Sequence, residues 1–244
     1  MKRRISIFRL MLLLFVVLLS IYLFLHSSIF KIKKIAVLGN NRVSQEEVLA
    51  LAGLSPGSNL FDFDEQAVTR AVETHPLINK AEIKRHLDRT VSIQIQERQV
   101  WAVIPYQDSF LCIDSQGICF DKINSTPVND CPIITLQNMP ANIDLGQAVN
   151  SEATDMIRQV WQAIPVEERP SISEFHFIND QSALNIYTVQ GTEIRFGNLE
   201  RLDEKVKTFA QILQMEKDME KQGSDTLEYV DIRYNGEPVI KTRS

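Results

Sequence analysis

The chain has 244 residues, 44% hydrophobic and 23% charged, and its Gly 9 and Pro 9 suit folded, core-forming segments rather than disorder. Its formal net charge is -5, yet residues 1–34 hold seven basic residues and no acid, so the remainder carries 19 Lys and Arg against 31 Asp and Glu. So acidic a remainder argues against nucleic acid as a partner.

Residues 10–25 carry no charge, and Ile5, Ile7 and Phe8 before them and Ile29 and Phe30 after them lengthen the apolar stretch. At about 1.5 Å per residue this predicts a single transmembrane helix over residues 10–30, with Arg9 snorkelling at one edge of a hydrocarbon core of about 30 Å. A cleaved signal peptide needs small residues three before and one before the cut. No Ala precedes Ala36, and Ser20, Ser27 and Ser28 face Leu18, Leu25 and His26 at the other required position, so the reading is an uncleaved anchor. Lys2, Arg3, Arg4 and Arg9 on one side nearly balance Lys31, Lys33 and Lys34 on the other, and charge alone does not orient the helix. A short basic tail of residues 1–9 is a poor folded domain, which favours placing it in the cytoplasm and the rest outside.

After the membrane, residues 32–38 alternate with Ile35 and Val37 on one face, and Gly39-Asn40-Asn41 ends the strand. Ser44 and Glu47 have capping-box spacing ahead of Val48, Leu49, Leu51 and Ala52, with Gly53 as the stop. Ser55-Pro56-Gly57-Ser58 makes a turn, and Asp64 caps a second helix expected to bury Ala67, Val68, Ala71 and Val72 until His75-Pro76. Residues 81–86 and 91–97 read as strands, the latter with Val91, Ile93 and Ile95 inward. The order is β-α-α-β-β, assigned to a first domain over residues 31–98.

A second, strand-rich domain is assigned to residues 99–244. Its predicted strands are 101–104, 110–113, 118–120 and 133–136, then a helix from Ser151 with Met156, Ile157, Val160, Trp161 and Ile164 on one face, ended by Pro165. Strands 172–178, 184–189 and 193–196 follow, then a long helix over 199–221 with Leu202, Val206, Phe209, Leu213 and Met219 as its buried stripe. The turn Gln222-Gly223-Ser224-Asp225 leads to a last strand, 227–234, and an Asn235-Gly236 turn signal. The fold class is α+β.

Cys112, Cys119 and Cys131 all lie outside the predicted membrane span, where a disulfide is permitted, and the odd number leaves at least one unpaired. A two-residue loop would set Cys112 opposite Cys119, whereas a left-handed Gly117 bulge would shift them out of register, so both one disulfide and free thiols stay open. No C-x-x-C pair exists, which speaks against a zinc or thioredoxin-type site.

Three runs carry a resemblance: Ile35-Ala36-Val37-Leu38-Gly39, Val43-Ser44-Gln45-Glu46-Glu47-Val48, and Gly57-Ser58-Asn59-Leu60-Phe61-Asp62-Phe63-Asp64. With the segment order they resemble the POTRA (polypeptide-transport-associated) domain of the FtsQ/DivIB family of bacterial division proteins. Glu97-Arg98-Gln99-Val100-Trp101-Ala102 is similar to that family's domain junction, with Val100 where Pro is usual. Gly197, the helix around Glu204 and Lys205, and Tyr229-Val230-Asp231-Ile232-Arg233-Tyr234-Asn235-Gly236 are similar to its closing helix and strand. The resemblance implies a POTRA-like domain beside the membrane, then a β domain. It implies a type II protein of the cytoplasmic membrane, N-terminus inside and C-terminus outside, placed at the division septum. It also implies a non-catalytic divisome scaffold whose partners are coiled-coil membrane proteins like FtsB/DivIC and FtsL.

An enzyme would need a nucleophile, a metal cluster or a carboxylate pair, and H-E-x-x-H, G-x-S-x-G and S-x-x-K are absent; the four His residues, 26, 75, 86 and 176, are far apart. No catalytic residue, metal, cofactor or small-molecule substrate is therefore expected. The strand 227–234 is the candidate docking edge, because unpaired N–H and C=O groups accept a partner strand. Carried over from the family, Tyr229, Arg233 and Tyr234 are the expected partner-binding residues, the aromatics giving buried area and Arg233 pairing with a carboxylate. The competing reading is a POTRA-type subunit that assists polypeptide secretion or envelope assembly; another is a membrane-tethered hydrolase with a pocket formed only on folding.

Overall fold

The charge-free run near the N-terminus forms helix α1 (Ile7–Leu25) in the computed structural model, which describes residues 7–124, 131–222 and 226–243. Lys2, Arg3, Arg4 and the turn residues Gly223, Ser224 and Asp225 lie outside the described residues. No residue between Phe8 and Leu25 is buried, and α1 is, among the described residues, the helix long and apolar enough to cross a membrane. The chain divides into two units, Met1–Glu97 and Arg98–Ser244.

The first unit follows α1 with β1 (Lys34–Leu38), α2 (Gln45–Ala52), α3 (Glu65–Val72), β2 (Ile78–Arg85) and β3 (Thr90–Glu97). Ser44 and Glu47 form the expected capping box on α2, Gly53 closes it at φ 62°, and the Asp64 carboxylate accepts from the Gln66 N–H at 2.9 Å at the start of α3. The sheet order is β1-β3-β2: β3 lies in the middle, parallel to β1 and antiparallel to β2. Val91, Ile93 and Ile95 of β3 enter the core with Ile35, Val48, Val68, Val72, Ile78 and Ile83. Ala67, expected to be buried, is exposed, because Val68 and Val72, four apart on this two-turn helix, already face the core and Ala67 lies off that face.

Glu97, the last residue of β3, is itself buried. Its Oε1 accepts from the N–H groups of Asn41 (2.7 Å), Arg42 (2.8 Å) and Val43 (3.0 Å) in the turn after β1. Burial pushes this carboxyl up, but the three backbone donors outweigh it and hold the pKa below the usual carboxylate value.

The second unit runs β4 (Ala102–Tyr106), β5 (Ser109–Ile113), β6 (Ile118–Ile123), β7 (Ile134–Leu136), β8 (Gln147–Ala148), α4 (Ser151–Ala163), β9 (Ile172–Ile178), β10 (Ala183–Thr188), β11 (Glu193–Gly197), α5 (Leu202–Gln222), β12 (Leu227–Asp231) and β13 (Val239–Thr242). β4-β5-β6-β8 form one sheet and β13-β12-β11-β10-β9-β7 another. In the larger sheet β7 runs parallel to β9 and β11 parallel to β12, with α5 as the crossover that a parallel pair requires. Phe175, Phe177, Ile186, Ile194 and Phe196 of the sheet join Ile157 and Val160 of α4 and Phe209 and Leu213 of α5 in one core. Both units therefore carry the α+β class expected of the sequence, with mixed sheets.

Gly117 takes φ 79° and shifts the β5/β6 register, so Cys112 faces Asp121 and Cys119 faces Ile113. No disulfide joins Cys112, Cys119 and Cys131. In the same turn Asp114 is buried: one oxygen accepts from the Gln116 N–H (2.9 Å) and the Ile118 N–H (3.0 Å), and the other pairs with the part-buried Arg98 guanidinium.

The buried stripe of α5 departs from the expected one. Phe209 and Leu213 are buried, but Leu202, Val206 and Met219 are only half-buried, and Lys205, Ile212 and Glu216 fill the inner face. Lys205 Nζ donates to the Asn198 carbonyl at 2.8 Å and sits 5.2 Å from the Phe196 ring, and Glu216 Oε1 accepts from the Thr188 hydroxyl at 2.7 Å. Burial draws the Lys205 pKa down. Satisfied in this way, two charged side chains occupy positions that an apolar repeat assigns to carbon.

Candidate partner-binding surface

The strand expected to end the sheet does not end it. β12 is covered by β13, which pairs antiparallel with it from Leu227↔Thr242 to Asp231↔Val239, so its N–H and C=O groups on that side are already engaged. The reason is the Asn235-Gly236 turn: Gly236 at φ 118° reverses the chain and returns 239–242 along β12. The sheet's edge at this end is β13, all four of its side chains exposed, including Val239 at 59% and Ile240 at 44%.

The three expected contact residues are brought to this end, in unequal states. Tyr229 is half-buried in β12, its ring 4.0 Å from the Arg195 guanidinium of β11 and 5.9 Å from Lys241 Nζ of β13. Arg233 lies beyond the strand and is bound to its own chain: Asp231 accepts from its N–H (3.1 Å), Nε (3.0 Å) and Nη2 (2.6 Å). These bonds lower the Asp231 pKa against the effect of burial and raise that of Arg233. Gly197 makes room for this arrangement, since a Cβ there would stand 3.0 Å from Arg233 Cγ. Tyr234 is 71% exposed and is the most available of the three.

Around them a polar network crosses the face of the sheet. Arg195 pairs with Glu193 at 3.1 Å, and Glu193 Oε1 accepts from Asn185 Nδ2 at 2.8 Å and from the Tyr187 hydroxyl at 3.4 Å. Burial, then the charges of Glu193 and Glu174, push the Tyr187 phenol up. Neither this network nor β13 was foreseen from the sequence. The turn signal at Asn235-Gly236 followed by the β-branched Val239, Ile240 and Thr242 was the cue for the latter.

Among the described residues no group of three or more His, Cys, Asp and Glu is placed to hold a metal ion. The histidines serve structure: His176 Nδ1 meets Thr135 Oγ1 at 2.8 Å, His86 Nε2 meets Ser92 Oγ at 2.9 Å, and His75 Nδ1 accepts from the Leu77 N–H at 3.2 Å.

Residues 30–98 match the family described as POTRA domain, FtsQ-type, and residues 102–233 that described as Cell division protein FtsQ/DivIB, C-terminal. Cell division protein DivIB of Staphylococcus aureus (strain NCTC 8325 / PS 47) is 25% identical over 197 residues, 80% of this chain and 42% of that protein. Cell division protein FtsQ of Syntrophotalea carbinolica is 26% identical over 175 residues, 70% of this chain and 61% of that one. The matched part thus spans less than two-thirds of either relative. The major extracytoplasmic domain of the trans isomer of DivIB from Geobacillus stearothermophilus aligns with 48% of this chain and 91% of its own at 16% identity, with a TM-score of 0.32. With the two family matches consecutive and the second alone covering more than half of its length, the chain belongs to the FtsQ/DivIB family of cell-division proteins.

Proposed function

We propose that this chain is a non-catalytic scaffold of the bacterial division machinery, a single-pass type II protein of the cytoplasmic membrane at the septum. Residues 1–9 lie in the cytoplasm, residues 10–30 span the bilayer, and residues 31–98 and 99–244 are the two domains outside it. The observation that carries this reading is the uninterrupted succession of the two family matches behind an apolar, wholly unburied helix. Depletion in cells lacking a second copy gives filaments without completed septa; normal septation under depletion overturns the reading.

Its partners are membrane proteins with coiled coils, of the FtsB/DivIC and FtsL type, and they dock at the closing strands beside Tyr229, Arg233 and Tyr234. The outer edge of β13 supplies main-chain groups and Tyr234 supplies aromatic area. Tyr234→Ala lowers affinity for the partner ectodomain by about 2 kcal/mol, roughly thirtyfold, with the fold unchanged. Calorimetric titration measures it, and unchanged affinity removes Tyr234 from the interface. Arg233 is a poor first variant, because its reversal to Glu sets two carboxylates against each other at Asp231 and disturbs the site from within.

A further inference from the structure

Where α1 ends, the first unit is stitched to it. Asn59 Nδ2 donates to the Leu25 carbonyl at 2.8 Å, and its Oδ1 accepts from the Phe61 N–H at 2.8 Å. His26 Nε2 meets Asp62 Oδ1 at 3.0 Å, and the rings of Phe24, Phe30 and Phe61 stack edge to face in series, each pair 5.2 Å apart. The segment after the helix is paired along its length: the Ile32 N–H donates to Ser58 O, the Gly57 N–H to Ile32 O and the Leu60 N–H to Phe30 O, all at 2.8 Å. Bonds of this density give a fixed collar and leave no free tether between helix and sheet.

The same collar brings the β2/β3 hairpin to this end. The Lys33 N–H donates to the Arg89 carbonyl at 2.9 Å, and β1 enters its parallel ladder at Lys34↔Thr90. Three apolar side chains stand out of this end against the usual rule for loops: Leu87 at the hairpin tip is 97% exposed, Ile29 59% and Phe61 41%. Lys31 and Lys33 beside them are exposed and Arg89 is half-buried. The two acids at this end are engaged, Asp62 with His26 and Asp88 with the Thr90 N–H at 3.0 Å. Residues 31–98 as a whole nearly balance, with ten Lys and Arg against nine Asp and Glu, so a cationic rim carrying apolar tips is a local excess of positive charge.

We propose that this end of the first unit is a second membrane-contact surface, with Leu87, Ile29 and Phe61 seated among the headgroups and Lys31, Lys33 and Arg89 meeting the phosphates of anionic lipids. The proposal rests on the reading of α1 as membrane-spanning, since the collar then holds the rim at the surface of that same bilayer. Its occupant is the lipid surface because the rim continues directly from the helix end and carries the charge that anionic headgroups attract, each cation strengthening contact about fivefold. Apolar side chains at an interfacial depth, flanked by Lys and Arg, are the pattern of proteins that lie on a bilayer.

The test uses the full chain reconstituted in vesicles of phosphatidylcholine with or without phosphatidylglycerol, with brominated acyl chains as quenchers of tryptophan. Leu87→Trp is expected to be quenched by shallow bromines, more strongly in the anionic vesicles, and to lose that gain when Lys31→Glu and Lys33→Glu are added. Leu18→Trp, in the middle of α1, reports the span itself. Quenching of Leu18→Trp with none at Leu87→Trp overturns the surface and spares the anchor; no quenching at either overturns the span first.

Discussion

Glu97→Ala is expected to destabilise the first unit while the second keeps its stability. The substitution strips three backbone donors of their common acceptor, the Val43 amide in a buried bond and those of Asn41 and Arg42 in part-buried ones. A buried donor left unsatisfied costs about 1 to 3 kcal/mol and the two more exposed amides lose less, so a total of about 2 to 4 kcal/mol is expected, against a whole stability of about 5 to 15 kcal/mol for a domain. Hydrogen exchange at the amides of Asn41, Arg42 and Val43 reports this directly, and protection unchanged from the parent chain refutes it. Glu97→Gln keeps a carbonyl acceptor and gives up only the charge, at about 1 to 2 kcal/mol. Acid acts on the same group. Because the folded pKa is depressed, this stabilisation is fully present above the unfolded carboxylate value of about 4.3 and is lost as pH falls through the folded value. Glu97→Gln should therefore flatten the acid limb of the first unit's stability curve.

Asp114→Ala makes the corresponding demand on the second unit. It removes the carboxylate from the part-buried Arg98 guanidinium and, in the same step, the acceptor for the Gln116 and Ile118 N–H groups that shapes the β5/β6 turn. Breaking a fully buried pair from one side costs about 3 to 5 kcal/mol, and with Arg98 only part-buried about 2 to 3 kcal/mol is expected here. Urea denaturation followed by the fluorescence of Trp101 and Trp161, both in this unit, should show a midpoint lowered by that free energy divided by the urea slope of about 1 to 3 kcal/mol per molar. Asp114→Asn should recover part of it, since one oxygen still orders the turn. A midpoint equal to that of the parent would show that Arg98 and the turn find other partners.

Buried Glu97 and buried Glu216 were invisible to a pattern that assigns charge to solvent, and the reason is the same in each case. The donors to Glu97 lie more than fifty residues upstream, and the hydroxyl that satisfies Glu216 lies on a strand before α5, so neither set of partners has a local signature. Local chemistry, by contrast, was legible. Ser44 with Glu47, Gly53, the alternation of Val91, Ile93 and Ile95, and the left-handed Gly117 that separates Cys112 from Cys119 all behave as their residue types require. β13 fell between these cases. Its turn was marked by Asn235-Gly236, but a four-residue strand with every side chain exposed has no inward face and hence no alternation to detect. The candidate contact residues do lie together at one end of the sheet, yet the strand that holds Tyr229 is an inner one, and Arg233 is already bound to Asp231 of its own chain.

The central place of β3 has a consequence for the order in which the first unit comes together. β1 and β2 each pair with β3 and not with one another, so neither gains a ladder bond until residues 90–97 are available. The turn at 41–43 waits for the same stretch, because its three amides are satisfied by the final residue of that strand. A chain emerging from its N-terminus therefore passes through a long interval in which α2 and α3 can form and the sheet cannot. The last eight residues of the unit close it in one cooperative event, and a chain cut short before residue 90 is expected to have helices and no fold.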